Sequence, residues 1–102
     1  MNRAEILDEA KRIITTDRES DYGKPENTFQ EIADYWSVYL QHKGFKGYIS
    51  AADVAKMMSL LKLARMKYRF KSDNFVDMAG YTALAYELEG SEPAMGEVKD
   101  EA

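Results

Sequence analysis

Two segments, AADVAKMMSLLKLAR at residues 51–65 and DNFVDMAGYTALAYEL at residues 73–88, are apolar on nearly every side when they are wound as helices. A helix that is apolar all round needs packing partners on more than one side. We therefore predict that these two helices pack together at the centre of the fold. Because so short a chain cannot cover all of their faces, we also predict that a second copy of the chain packs against them.

The segments on the N-terminal side predict two amphipathic helices. Apolar residues recur at helical spacing from Arg3 to Asp17 and again from Thr28 to about His42, with polar residues on the opposite faces. Thr28 and Glu31 have the spacing of a capping box at the start of the second helix.

The ends of the two central helices are also marked in the sequence. Ser50, three residues before Asp53, predicts a capping box that starts the third helix, and this helix continues to about Arg69. Ser72 or Asp73 begins the fourth helix, which stops at Gly90. No useful stretch alternates with the period of a strand, so the predicted fold is all-α, a four-helix bundle completed by oligomerisation.

The length and composition limit the classes of protein that the chain can represent. Its 102 residues suit one helical domain at residues 1–89, followed by a flexible acidic tail at residues 90–102. The absence of cysteine excludes disulfides and thiolate chemistry, and a single histidine, His42, excludes metal sites built from several histidines. No apolar run approaches the roughly 18 to 20 residues of a membrane span, and the first residues are too charged for a signal peptide. We expect a cytoplasmic protein with no membrane partner.

Charge is distributed unevenly along the chain. The net charge is -4, yet residues 43–71 contain eight Lys or Arg and one acid, Asp53. A basic band of this size suits an anionic ligand. Because the whole chain is acidic and carries no motif that reads DNA or RNA, we do not expect a nucleic-acid partner.

Two charged residues interrupt the apolar faces of the central helices. Helical spacing places Arg65 within the apolar face of the third helix and Asp77 within that of the fourth. An unpaired charge in such a position is costly. Either the two residues form a structural ion pair, or they line a polar ligand site between the helices, where helical bundles commonly bind ligands and metals.

Several oxygen-bearing side chains are candidate ligands for a divalent cation. Asn74 and Asp77 lie three residues apart on one helical face, although Asn74 would serve equally well as a helix cap. Asp53 could face Asp77 or serve only its capping box. Glu31 and Asp34 are also three residues apart, and they lie toward the polar side of the second helix, where a solvated role is equally consistent.

Other residues are candidates for contacts with a nucleotide. Lys62 borders the apolar face beside Arg65, so the two cations could reach one phosphate chain, although Lys62 could also be solvated. Tyr22 could stack on a base or cover the core. Trp36 and Tyr39 have the spacing of core residues, which is favoured over a contact of Trp36 with a base.

The chain resembles an uncharacterised family of phages and prophages that looks MazG-like. The resemblance rests on four stretches and covers about residues 3–89: DYGKP at 21–25, FQEIADYWSVYL at 29–40, DVAKMMSLLKLAR at 53–65 and DNFVDMAGYTALA at 73–85. The broader group of MazG-like proteins and dimeric dUTPases implies an oligomeric all-α bundle. It also implies hydrolysis of a nucleoside triphosphate to a monophosphate and pyrophosphate, with magnesium held by an ExxE motif and a later ExxD motif.

The resemblance transfers these motifs only in part. The later motif matches Asn74 to Asp77, with asparagine in place of the first glutamate, and the earlier motif falls on Asp53 to Lys56. Two of the four acids are therefore missing, and Glu31 and Asp34 are the residues that could replace them.

The resemblance implies a phage-type pyrophosphohydrolase acting on a (deoxy)nucleoside triphosphate with Mg²⁺. The candidate residues for this function are Asp77 and Asp53 for catalysis; Asp77, Asp53, Asn74, Glu31 and Asp34 for the metal; Lys56, Lys62 and Arg65 for phosphate; and Tyr22 or Trp36 for the base. The missing carboxylates support an alternative, a catalytically inactive module that binds and sequesters a nucleotide. A helical dimer that binds only other proteins is a third reading.

Overall fold

A computed structural model describes residues 1–17 and 24–91 of the chain. It contains four α-helices: α1 (Arg3–Arg12), α2 (Pro25–His42), α3 (Ala51–Arg65) and α4 (Ser72–Ser91). A π-helical turn, Ile13–Asp17, follows α1 directly. The described ranges contain no strand, and the all-α prediction is confirmed. Tyr22 and residues 92–102 of the predicted tail lie outside the described residues.

Capping explains where two of the helices begin. The Asn2 side chain accepts a hydrogen bond from the Glu5 amide, and the Glu5 carboxylate accepts one from the Asn2 amide, which closes a capping box at the start of α1. Ser50 and Asp53 form the predicted capping box at the start of α3, with reciprocal distances of 3.1 and 3.0 Å. Each box satisfies backbone donors that the first turn leaves without a partner.

Four predicted helix ends differ from the structure. The fourth helix was predicted to stop at Gly90 and continues to Ser91. The second helix starts at Pro25 and not at Thr28, because proline at the first helical position loses no hydrogen bond there. The first helix changes to π geometry at Ile13, where the hydroxyl of Thr15 donates to the backbone carbonyl of Lys11 four residues earlier. The third helix ends at Arg65, four residues before the predicted end.

An antiparallel hairpin of α3 and α4 forms the centre of the fold. Residues 66–71 connect the two helices, and α3 and α4 share the most extensive contacts in the described part of the chain. The first helix packs on α4, and α2 packs on α3. Val54, Ala52 and Ala55 are almost fully buried within the hairpin, and the small side chains of the alanines let the helices approach closely.

The third helix leaves one apolar side exposed, in agreement with an apolar sequence that continues around the whole helix. Met57, Leu60, Leu61 and Ala64 recur at spacings of three and four residues on α3 and are all exposed. We call this set the open stripe. Nothing else in the described part of the chain covers the stripe, since these four side chains remain accessible to solvent.

None of the helices in the described ranges is long and apolar enough to cross a membrane.

Candidate functional site

A solvent-open groove lies where α3 ends and α4 begins. Its volume is about 550 Å³, within the range of pockets that hold small molecules. Its lining divides into three kinds of residue. The basic residues are Lys62, Arg65, Arg69 and Lys71, the acidic or amide residues are Asp73, Asn74 and Asp77, and the remaining wall is Leu61, Ala64 and Tyr68. We call this the hairpin groove.

The floor of the hairpin groove is an ion pair between the two central helices. The Lys62 Nζ atom lies 2.9 Å from the Asp77 Oδ2 atom, and the two side chains are only 13% and 21% exposed. The interior position of Asp77 agrees with the sequence analysis. Arg65, the partner of Asp77 in one of the two alternatives, is instead exposed and lines the groove. Helical spacing could not show whether Lys62 or Arg65 pairs with Asp77. Both sides of α3 are apolar, so the sequence does not indicate which side packs against α4.

Three of the groove's cations form no ion pair with another described residue. Arg65, Arg69 and Lys71 are exposed, and the ion pairs of the described part involve other side chains. A guanidinium group presents a planar fork of donors that matches the oxygens of a phosphate. The groove therefore offers two such forks and a lysine to an anion.

Asn74 and Asp77 are one turn apart on α4, and both line the hairpin groove, as their spacing predicted. Asn74 is buried, and it is the third residue of α4 rather than the residue that precedes it. In the described ranges, every fully buried side-chain nitrogen or oxygen has a hydrogen-bond partner. The groove thus contains no orphaned polar atom that requires a ligand for its satisfaction.

The remaining candidate metal ligands are not brought to this groove. The Asp53 carboxylate is engaged in its capping box at the opposite end of α3, about 13 Å along the helix axis from Lys62. Glu31 and Asp34 are exposed on α2, where Asp34 accepts a hydrogen bond from Gln30. Across the described residues, no three carboxylate or histidine side chains are grouped closely enough to hold a metal ion. These donors do not fit a magnesium centre within one copy of the chain.

Two further candidates also lie away from the groove. The Lys56 Nζ atom is 2.6 Å from the Glu89 Oε1 atom, toward the far end of the hairpin. Trp36 is half-buried and packs against the hydrophobic core, which agrees with its interpretation as a core residue. Neither side chain lines the hairpin groove. Tyr22 lies outside the described residues.

Asp73 was predicted only as a possible start of the fourth helix. Three further lining residues, Tyr68, Arg69 and Lys71, are not among the candidates predicted from the sequence. The third helix was predicted to continue to about Arg69, whereas it ends at Arg65 and Tyr68 lies in the connection. The signal that could have found them is the alternation of basic and large apolar residues in RMKYRFK at 65–71, which is unlike a continuing amphipathic helix.

Comparison with known proteins identifies a family but no activity. A domain of unknown function, DUF6378, matches residues 5–89. The chain is 41% identical over 93 residues to the Gene 55 protein of Mycobacterium phage D29, covering 90% of this chain and 58% of that protein. It is 36% identical over 85 residues to the Gene 55 protein of Mycobacterium phage L5, covering 82% of this chain and 52% of that protein.

The chain therefore spans little more than half the length of these two relatives. No solved structure matches it significantly. The match over residues 5–89 shows that the chain belongs to the DUF6378 family, which has phage-encoded members and no assigned function.

Proposed function

We propose that this protein binds a nucleoside triphosphate in the hairpin groove and retains it without hydrolysis. The observation that carries the proposal is the set of three cations, Arg65, Arg69 and Lys71, that line the groove without an ion-pair partner in the described chain. A triphosphate supplies several negative charges within a few ångströms, so one ligand can contact all three.

The size and remaining lining of the groove suit the rest of a nucleotide. A volume of about 550 Å³ is ample for a ligand of this class. Tyr68 lines the groove and offers an exposed ring on which a base can stack. The MazG-like resemblance, which is part of the proposal, points to the same class of ligand.

Retention of the nucleotide is favoured over its hydrolysis by the state of the carboxylates. Asp77 is paired with Lys62, and Asp53 caps a helix. A pyrophosphohydrolase remains the second candidate, because Asp73, Asn74 and Asp77 line the same groove as the cations.

The test is a panel of canonical and modified nucleotides incubated with the protein, with and without magnesium, and analysed by chromatography and calorimetry. We expect binding without magnesium and recovery of intact nucleotide. Monophosphate and pyrophosphate formed only with magnesium would overturn retention and establish the hydrolase. If calorimetry detects no nucleotide binding and no nucleotide raises the melting temperature of the protein, the proposed function is wrong.

Variants separate the two outcomes. Arg65→Ala and Arg69→Ala should each weaken nucleotide binding about tenfold, since each removes a charge-assisted contact. Lys46→Gln is the matched control, because Lys46 is exposed and does not line the groove. Asp77→Asn releases Lys62 toward the phosphates, so a binding module keeps or gains affinity, whereas a hydrolase loses turnover.

The proposed assembly is a homodimer formed through the open stripe. The four side chains of this set are uncharged, so a second copy related by a twofold axis opposes no like charges along it. Leu61 and Ala64 belong to both the open stripe and the groove wall. A partner seated on the stripe would therefore lie beside the bound nucleotide.

A further inference from the structure

The connection between the two central helices alternates basic and large apolar side chains. Residues 65–71, RMKYRFK, place a Lys or Arg at every second position and contain no acid, although the chain as a whole has a net charge of -4. We call residues 65–71 the basic-aromatic segment. The segment carries four positive charges within seven residues, at the end of the hairpin where α3 and α4 are connected.

The aromatic rings of this segment are displayed to solvent. Tyr68 is 82% exposed and Phe70 is 83% exposed. The Lys67 Nζ atom lies 5.5 Å from the centroid of the Tyr68 ring, and the centroids of Phe70 and Phe75 are 5.6 Å apart with the rings tilted by 48°. A single exposed aromatic residue is ordinary. Tyr68 and Phe70 are both exposed to this degree, and a basic residue precedes and follows each of them in the sequence. Together they form a surface that suits a polymer with planar bases and a negatively charged backbone.

The net acidity of the whole chain argued against a nucleic-acid partner, but the local charge of residues 65–71 is opposite in sign. We propose that the basic-aromatic segment binds single-stranded nucleic acid. Bases of any sequence can stack on Tyr68 and Phe70, and the phosphates between them can contact the four cations. A duplex keeps its bases paired and stacked, so it can use the cations only. The acidic remainder of the chain repels the polymer, which confines the contact to this segment and leads us to expect micromolar affinity.

This inference goes beyond the proposed nucleotide site and can be separated from it. Arg65, Tyr68, Arg69 and Lys71 line the hairpin groove, so a polynucleotide and a nucleotide compete for them. Lys67 and Phe70 do not line the groove. Replacing either of these two residues should weaken the polynucleotide and leave nucleotide affinity unchanged.

The experiment measures fluorescence anisotropy of labelled oligothymidine and oligouridine strands of about 20 nucleotides, longer than one typical binding site. A duplex of the same length is the third probe. We expect both strands to bind more tightly than the duplex, and the comparison of the two strands shows whether DNA or RNA is preferred. With four phosphate contacts, raising the salt from about 50 mM to about 200 mM should weaken strand binding about fiftyfold.

Ring substitutions give the decisive readout. Tyr68→Ala and Phe70→Ala should each weaken strand binding about tenfold, because each removes one stacking platform. Tyr86→Ala is the matched control, since Tyr86 is 83% exposed on α4 and is followed by an acid instead of a base. Exposed rings contribute little to folding, and circular dichroism should show the helical content of all three variants unchanged.

Three outcomes would overturn the inference. The strands could fail to bind at low salt, the duplex could bind as tightly as the strands, or the Tyr68 and Phe70 variants could bind as well as the Tyr86 variant. If the protein binds the strands as expected but binds no free nucleotide, the proposed function is wrong and the present inference stands.

Discussion

Lys62 and Asp77 combine opposite charges with limited exposure at the floor of the hairpin groove. An ion pair in this position costs desolvation when it forms, and much of its effect appears only when one partner is removed. Lys62 therefore has two roles that can be measured separately. It neutralises Asp77 between the helices, and it presents its ammonium group to the groove.

Replacing Lys62 with methionine tests the structural role. Lys62→Met keeps most of the packing of the side-chain stem but leaves the Asp77 carboxylate without its partner. We expect the free energy of unfolding to fall by about 1–2 kcal/mol, below the cost for a fully buried pair because both side chains retain some contact with water. Urea denaturation with a constant slope measures the change.

The matched control is Lys56→Met, because the Lys56–Glu89 pair spans the same two helices but is largely exposed. Its effect should stay within about 0.5 kcal/mol. Adding Asp77→Leu to Lys62→Met should restore most of the lost stability, since a pair of apolar side chains replaces the unpaired charge. Equal losses for Lys62→Met and Lys56→Met would show that the groove's ion pair contributes no more than a surface pair.

The packing of α1 against α4 depends on a close approach at Gly80. A Cβ atom built on Gly80 would lie 3.0 Å from the Cγ2 atom of Ile14, in the π-helical turn. Glycine weakens an isolated helix, so its presence within α4 reflects the position of Ile14. This contact fixes how the first helix lies on the hairpin.

Gly80→Ala is expected to destabilise the protein despite the better helix propensity of alanine. The propensity gain of about 1 kcal/mol is outweighed by overpacking, which typically costs about 1–3 kcal/mol. Thermal and urea unfolding should therefore show a net loss. The control is Gly90→Ala, since a Cβ atom there meets nothing within 4 Å. Gain of stability in both variants would mean that α1 shifts on α4 without cost.

Helices were easier to predict than their ends and their partners. The 3.6-residue period identified all four, and the Ser50–Asp53 spacing identified one start correctly. The early end of α3 at Arg65 was missed, and with it the wall of the groove that Tyr68 contributes. The side of α3 that packs could not be predicted either, because apolar residues lie on both sides and tertiary contacts alone select Lys62 over Arg65.

The candidate site was predicted only in part, because helical spacing indicates which residues lie near one another on a helix but not how the helices pack. Asp77, Asn74, Lys62 and Arg65 all line the hairpin groove, since their spacing on two helices already placed them near one end of the hairpin. Asp53 and Lys56 were assigned to the site by motif and lie elsewhere, where each has a local partner. Spacing along a helix thus predicted which side chains lie close together in the groove. Alignment to the family's metal-binding motif did not.

At the scale of the whole molecule, the open stripe predicts a concentration-dependent dimer. Leu60, 62% exposed at the centre of α3, lies among three other exposed apolar or small side chains. Burying such a side chain contributes about 1.5–3 kcal/mol, and a twofold interface contains each residue twice. We expect the protein to sediment as a dimer at micromolar concentration.

Leu60→Lys should convert the dimer to a monomer, because it would bring two desolvated charges together across the twofold axis. Leu7→Lys is the matched control. Leu7 is 61% exposed on α1, away from the stripe, so the same substitution there should leave the dimer intact. Sedimentation equilibrium measures both, and circular dichroism checks that each variant remains helical. A wild-type protein that stays monomeric at high micromolar concentration, or a Leu60 variant that still dimerises, would show that a second copy does not cover the open stripe.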